Sequence, residues 1–184
     1  MPVNQIICGN SLEVMKQIES NSINAILTSP PYNCGISYDK YKDKMDLSVY
    51  KKLMKDILAE GHRILKNGGR AMINVPFACK TESDDSYAYA FPSVIFTQIM
   101  EELNYKCVDI MTWYKSKDNI ADSLTGNTAW GSWCSASAPR LRAFCECVLV
   151  FSKNTYSYPQ DDGAESDITA EEFKDFVYAK WSIA

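Results

Sequence analysis

The chain has 184 residues, a formal net charge of −4 and 46% hydrophobic residues. This length favours one domain, and the apolar content excludes a chain that is disordered over most of its length. No apolar run approaches the roughly 18 residues of a membrane span, and the first cation is Lys16, so we expect a cytoplasmic protein without a membrane partner. Seven scattered cysteines predict reduced thiols. The acidic balance argues against indiscriminate polyanion binding but permits a local basic face.

Short apolar runs alternate with amphipathic stretches along the chain. Asn10 stands three residues before Glu13, a helix-capping spacing, and Pro92 suits the first turn of a later helix. The longest helical pattern runs from Tyr50 to Leu65, and Gly68–Gly69 is the expected stop. Five runs are predicted to be strands: Gln5–Cys8, Ile23–Thr28, Arg70–Val75, Cys107–Tyr114 and Cys145–Phe151.

The order of these elements predicts an α/β open sheet that ends in an antiparallel strand pair. The last two strands are separated by a thirty-residue stretch rich in Ser, Ala, Asn and Trp, and a loop that long is usually functional in a compact domain. Ligands of open α/β sheets bind at the carboxyl ends of the strands. The segment that follows Thr28 lies at one such end.

The segment Thr28-Ser29-Pro30-Pro31-Tyr32 carries the most chemical information. Two prolines fix successive φ angles at about −65° and remove two backbone donors, so the local carbonyls keep one direction. The serine hydroxyl and an aimed carbonyl then form a pair of acceptors, and the tyrosine ring offers a stacking surface. Such acceptors suit the exocyclic amine of a nucleobase, because holding its hydrogens out of the ring plane localises the nitrogen lone pair. The stacked base would be turned out of its duplex.

Further segments occur in a fixed order around this motif. They are Cys8–Met15 (CGNSLEVM), Ser22–Tyr32 (SINAILTSPPY), Arg63–Gly69 (RILKNGG), Trp113–Lys115 (WYK), and a block formed by Gly131–Trp133, Pro139 and Glu146–Lys153. Together they resemble the amino-group-directed DNA methyltransferases, which act on N4 of cytosine or N6 of adenine and use S-adenosylmethionine. The resemblance extends over residues 5–153.

This resemblance implies a methyltransferase-type, Rossmann-like open sheet and double-stranded DNA as the substrate. It implies that Ser29 and the Pro30 carbonyl accept from the target amine, with Pro31 completing the rigid turn and Tyr32 stacking on the flipped base. Asn10, Thr28 and Ser29 would lie near the cofactor. A serine at the first motif position is associated in this family mostly with N4 of cytosine, so cytosine is favoured over N6 of adenine.

Two features depart from the family pattern. Asn10 stands where the family usually has Asp, and a helix cap explains it as well as a cofactor contact does. The eight glycines form no Gly-x-Gly, although the family's cofactor pocket depends on a Phe-x-Gly-x-Gly loop. We therefore expect residues 1–153 to be a catalytic part and residues 154–184 an acidic segment that leads toward a missing cofactor-binding half. A complementary subunit, which we favour, or a missing C-terminal part would carry that half, and the isolated chain would form homodimers or aggregates.

Several basic residues are candidates for phosphate contacts, although a solvated surface explains them equally well. They are Lys40, Lys42, Lys44, Arg140 and Arg142. No metal site is predicted, because Cys145 and Cys147 lack zinc-ligand spacing and the chain has one histidine. Besides N4-cytosine and N6-adenine methylation, the sequence leaves open an N-methyltransferase for RNA or a small molecule, and a non-catalytic remnant that acts as an interaction module.

Overall fold

The computed structural model describes residues 4–39, 41, 43–80, 89–114, 145–158, 165–177 and 180–182. The helices in these ranges are α1 (Ser11–Met15), α2 (Leu47–Ile64), α3 (Pro92–Glu102) and α4 (Ala170–Phe176). The strands are β1 (Ile23–Thr28), β2 (Leu65–Val75), β3 (Cys79–Lys80), β4 (Tyr89–Ala90), β5 (Tyr105–Tyr114), β6 (Cys145–Lys153) and β7 (Lys180–Ser182). In the described part of the chain, no helix combines the length and the apolar character that crossing a membrane requires.

The main sheet has the strand order β1–β2–β6–β5–β7. β1 and β2 run parallel, whereas β6 is antiparallel to both of its neighbours, β2 and β5. β7, which was not predicted, pairs in parallel with β5. The predicted α/β open sheet with an antiparallel pair is therefore confirmed. The sequence did not reveal that the last long strand inserts between β2 and β5.

The hydrophobic core lies between this sheet and the helices α2 and α3. Ile73 and Val75 of β2 are fully buried on the core face and pair with Leu149 and Cys147 of β6. The helices contribute Tyr50, Met54 and Leu58 from α2 and Ile95, Phe96, Ile99 and Met100 from α3. Because successive strand residues point to opposite faces, Asn74 lies on the face away from this core.

Two predictions from the sequence, a strand at residues 5–8 and a glycine stop for the long helix, are wrong. Residues 5–8 form no strand, and Ile6 is fully exposed, since no strand among the described residues pairs with this segment. The long helix ends at Ile64, and Gly68–Gly69 lie within β2. The reason is a side chain: the ammonium group of the buried Lys153 donates to the carbonyl oxygens of Arg63 and Leu65 at 3.3 and 2.8 Å. These carbonyls at the helix end therefore need no glycine cap.

Cys34 and Cys79 form a disulfide, with their Cα atoms 6.3 Å apart, so the expectation of reduced thiols is wrong for this pair. Cys34 follows β1 and Cys79 follows β2. Because the two strands are parallel, the segments that leave them meet at the same edge of the sheet. A sequence separation of 45 residues gave no sign of this proximity. Cys8, Cys107, Cys145 and Cys147 are free thiols.

Gly68 generates a test of the fold, because its φ of +76° is unfavourable for other residues and an added Cβ would overlap the Ser157 carbonyl. We expect Gly68→Ala to lower the free energy of unfolding by about 1–3 kcal/mol in urea denaturation. Gly61→Ala is the matched control: its Cβ would lie 3.2 Å from the flexible end of Ile26, and alanine favours the helix. Equal stability of Gly68→Ala and the parent chain would contradict the described turn.

Candidate active site

The parallel register of β1 and β2 brings two polar residues together at the carboxyl edge of the sheet. Thr28, the last residue of β1, pairs with Ile73 of β2. Ser29 directly follows β1 and Asn74 is the next residue of β2, so the two residues lie side by side at the same level. Ser29 is exposed and Asn74 is half-buried, so this edge is open on the Ser29 side.

Hydrogen bonds join four side chains at this edge. Ser29 Oγ and Tyr32 Oη are 2.6 Å apart, and Tyr32 Oη donates to the backbone carbonyl of Asn74 at 3.2 Å. Asn74 Nδ2 donates to Tyr32 Oη at 3.3 Å and to the Glu146 carboxylate at 2.6 Å. We call this arrangement the Ser29–Tyr32–Asn74–Glu146 chain. It joins the motif loop that follows β1 to β2 and β6.

Asn74 and Glu146 are not among the site residues predicted from the sequence. Each is a polar residue within an otherwise apolar run, Ala71–Val75 in one case and Cys145–Phe151 in the other. Such an interruption next to a strand end is a usable signal of a site. It does not show which strands are neighbours, and only the antiparallel pairing of β2 with β6 places the two residues together.

The two prolines are held against α2 by one buried hydroxyl. Tyr50 Oη donates to the Pro31 carbonyl at 2.7 Å. Burial raises the pKa of Tyr50, so this hydroxyl stays protonated and remains a donor. In the part of the chain that the structure describes, no hydrogen bond engages the Pro30 carbonyl.

Asp43 organises the loop after the motif. It is 2% exposed, and its carboxylate accepts from the backbone N–H groups of Asn33, Cys34 and Ile36 at 2.8, 3.1 and 3.1 Å. Three charge-assisted hydrogen bonds of this kind compensate the burial of one carboxylate. They fold the loop back on itself, so that the start of α2 lies beside Tyr32.

A cavity of about 460 Å³ opens next to Tyr32. Its volume is typical of small-molecule sites, which span roughly 300–1,000 Å³. It lies between the motif loop and the amino ends of α2 and α3. Rings and aliphatic groups form most of its wall, and the residues that matter below are Tyr32, Lys44, Tyr50, Lys51 and Phe91.

The other predicted site residues fall in different places. The side chain of Asn10 caps α1 by accepting from the Leu12 N–H at 3.0 Å, and Thr28 is half-buried at the end of β1. Lys44 is exposed at the cavity. Lys40, Lys42, Arg140 and Arg142 lie outside the described residues. Within the described ranges, no group of three or more His, Cys, Asp or Glu side chains could hold a metal ion.

Known proteins resemble the chain in sequence and in fold. The model of the N6/N4 DNA methylase family matches residues 23–181. The type II methyltransferase M.MjaVI of Methanocaldococcus jannaschii is 32% identical over 165 residues, which cover 90% of this chain and 78% of that protein. TTHA0409 of Thermus thermophilus, a putative DNA modification methylase solved with S-adenosylmethionine, has a TM-score of 0.69 at 19% identity over 95% of this chain. The cytosine-N4-specific PvuII DNA methyltransferase has a TM-score of 0.64 at 17% identity over 96% of this chain.

The chain spans 64% of TTHA0409 and 55% of the PvuII enzyme, so it corresponds in fold to part of each of those longer chains. The family match begins at the first residue of β1 and continues into β7. It thus includes the proline motif, the inserted strand β6 and every member of the Ser29–Tyr32–Asn74–Glu146 chain. The chain belongs to the N6/N4 DNA methylase family.

Proposed function

We propose that this chain is the catalytic part of a DNA methyltransferase that transfers a methyl group from S-adenosylmethionine to an exocyclic amine of a flipped-out base. The observation that carries the proposal is the pair of acceptors at the end of β1, Ser29 Oγ and the Pro30 carbonyl, next to the ring of Tyr32. Membership of the chain in the N6/N4 DNA methylase family supports DNA as the substrate. The cavity beside Tyr32 supports the proposal that a planar base binds there.

The chemistry follows from the residues at this turn. When bound, S-adenosylmethionine supplies an electrophilic methyl group. Ser29 Oγ and the Pro30 carbonyl each accept a hydrogen of the target amine, which localises the nitrogen lone pair and aims it away from the base ring. Tyr32 stacks on the base and keeps it out of the duplex, while Pro31, clamped by Tyr50, holds the turn rigid.

N4 of cytosine is the target that we favour, because the motif begins with serine. N6 of adenine is the second candidate, and the family includes enzymes of both kinds. Double-stranded DNA is the proposed partner, and two cations at the cavity, Lys44 and Lys51, support a phosphate contact there. Lys40, Lys42, Arg140 and Arg142 are proposed to add further phosphate contacts.

Gly68 and Gly69 do not form a cradle for the cofactor. An added Cβ at either would come within 3.0 Å of backbone atoms of this chain, so these two glycines make room for the protein itself. The residues present therefore fit the methyl-accepting end of the site, where Thr28 and Ser29 would face the donor. We propose that the glycine-rich loop comes from sequence outside these 184 residues.

The exposed edge strand β1 supports the proposal that another part of the enzyme supplies the cofactor-binding loop. β1 is one of the two edge strands of the described sheet, carries no charged residue, and exposes 73% of Leu27. An uncharged apolar edge strand favours pairing with a further strand. We propose that a complementary methyltransferase subunit covers this edge and supplies the Phe-x-Gly-x-Gly loop, with homodimers forming in its absence. Residues 1–153 are then the catalytic part, and residues 154–184 lead toward that subunit.

We predict that Ser29→Ala lowers kcat of the completed enzyme about a hundredfold or more, because one of the two groups that bind the reacting amine is removed. Ser157→Ala is the control, since Ser157 is exposed and follows the opposite end of the sheet. Methyl transfer is measured with tritiated S-adenosylmethionine on duplex DNA. An unchanged rate in Ser29→Ala would contradict the role of the motif.

We predict N4-methylcytosine as the product in duplex DNA. The DNA is methylated by the completed enzyme, digested to nucleosides and analysed by mass spectrometry. N6-methyladenine as the sole product would refute the choice of base without affecting the proposed mechanism, because both amines have the same donor geometry. Methylation of RNA alone would refute the substrate.

We predict that the 184-residue chain binds S-adenosylmethionine weakly by itself. The physical reason is that a backbone that carries Cβ atoms cannot approach a ligand as closely as glycine can. Isothermal titration of the chain with S-adenosylmethionine should give a Kd above about 100 µM, that is, a binding free energy weaker than roughly −5.5 kcal/mol. Micromolar binding and turnover without a second polypeptide would contradict the divided site.

A further inference from the structure

We propose that Asn74 and Glu146 are positioning residues that make Ser29 a pure hydrogen-bond acceptor toward the substrate. The inference deepens the proposed function, on which it rests. It starts from the Ser29–Tyr32–Asn74–Glu146 chain and from the number of hydrogens that each group can contribute. These counts assign a donor and an acceptor to each hydrogen bond of the Ser29–Tyr32–Asn74–Glu146 chain.

The Tyr32 hydroxyl has one hydrogen, and within the Ser29–Tyr32–Asn74–Glu146 chain it meets three polar groups. The backbone carbonyl of Asn74, at 3.2 Å, can only accept, so it receives the hydrogen of Tyr32. Asn74 Nδ2, at 3.3 Å, can only donate, so it binds a lone pair of Tyr32 Oη. Ser29 Oγ, at 2.6 Å, is the third of these groups, and we assign it as the donor to Tyr32 Oη because the Tyr32 hydrogen is bound to the Asn74 carbonyl. This assignment satisfies all three contacts, whereas the reverse leaves the Asn74 carbonyl without the Tyr32 hydrogen.

The direction of the Ser29 hydrogen decides what the substrate meets. With its hydrogen bound to Tyr32, Ser29 Oγ presents only lone pairs on its exposed side. A serine that pointed its hydrogen at the target nitrogen would bind the very lone pair that must attack the methyl group. Asn74 therefore acts on the reaction through Tyr32, without touching the substrate itself.

Glu146 fixes the orientation of the Asn74 amide. Its carboxylate can only accept, and at 2.6 Å it selects the Nδ2 side of the amide. The second hydrogen of Nδ2 then points to Tyr32 Oη. Hydrogen bonds in such a series polarise one another, so the carboxylate strengthens the bond that holds Tyr32. Glutamine at this position can still accept through its carbonyl oxygen, whereas alanine cannot.

Steady-state kinetics of the completed enzyme test the inference through a double-mutant cycle. We expect Asn74→Ala and Tyr32→Phe each to lower kcat about tenfold, in line with the loss of one or two hydrogen bonds, with unchanged KM for DNA and for S-adenosylmethionine. Because Asn74 acts through the Tyr32 hydroxyl, the double variant should be no slower than Tyr32→Phe. Glu146→Ala should resemble Asn74→Ala, and Glu146→Gln should recover most of the rate. Asn67→Ala, an exposed asparagine on the same strand, is the matched control.

A second readout does not need methyl transfer. In the chain labelled with ¹³Cζ-tyrosine, the resonance that disappears in Tyr32→Phe reports the hydrogen bonds of that hydroxyl. It should shift in Asn74→Ala and stay unchanged in Asn67→Ala. Additive losses of kcat in the double variant, or no shift in Asn74→Ala, would overturn the inference. An inactive wild-type enzyme would instead refute the proposed function, and the resonance would still test the hydrogen-bond chain.

Discussion

The parallel pairing of β1 with β2 is the constraint on which the site depends. Thr28 lies opposite Ile73, and this register puts Ser29 next to Asn74. A slip by one residue would turn Ile73 and Val75 out of the core and Asn74 into it, so burial of the apolar residues fixes the register. The same burial that stabilises the sheet thereby places the polar residues at its carboxyl edge. The proline turn then needs to position only Tyr32.

The inserted strand β6 contributes a functional side chain at each of its two ends. At one end Glu146 reaches Asn74, and at the other end the Lys153 ammonium satisfies carbonyls where α2 ends and β2 begins. Because β6 is antiparallel to β2, its first residues lie at the carboxyl edge of β2 and its last residues at the opposite edge. The site is thus assembled from strand ends, while the central part of each strand fills the core.

Local signals in the sequence predicted much of this structure. The β-branched run Ile23–Thr28, the Asn10 cap and the helix start at Pro92 are all set by residues within a few positions of one another. The errors concern contacts between distant residues: Lys153 replaces the expected glycine cap of α2, and Cys34 pairs with Cys79. Asn74 and Glu146 were missed for the same reason. The bonds that give them a role join residues 42 and 72 positions apart, and only the strand order brings such residues together.

The central claim is that the turn after β1 binds the target amine through two acceptors. A structure of the completed enzyme with its duplex DNA and a cofactor analogue that lacks the transferable methyl group tests this most directly. The account predicts an extruded base whose exocyclic nitrogen lies about 3 Å from both Ser29 Oγ and the Pro30 carbonyl oxygen. A base that stays stacked in the duplex, or an amine bound elsewhere in the cavity, would contradict it.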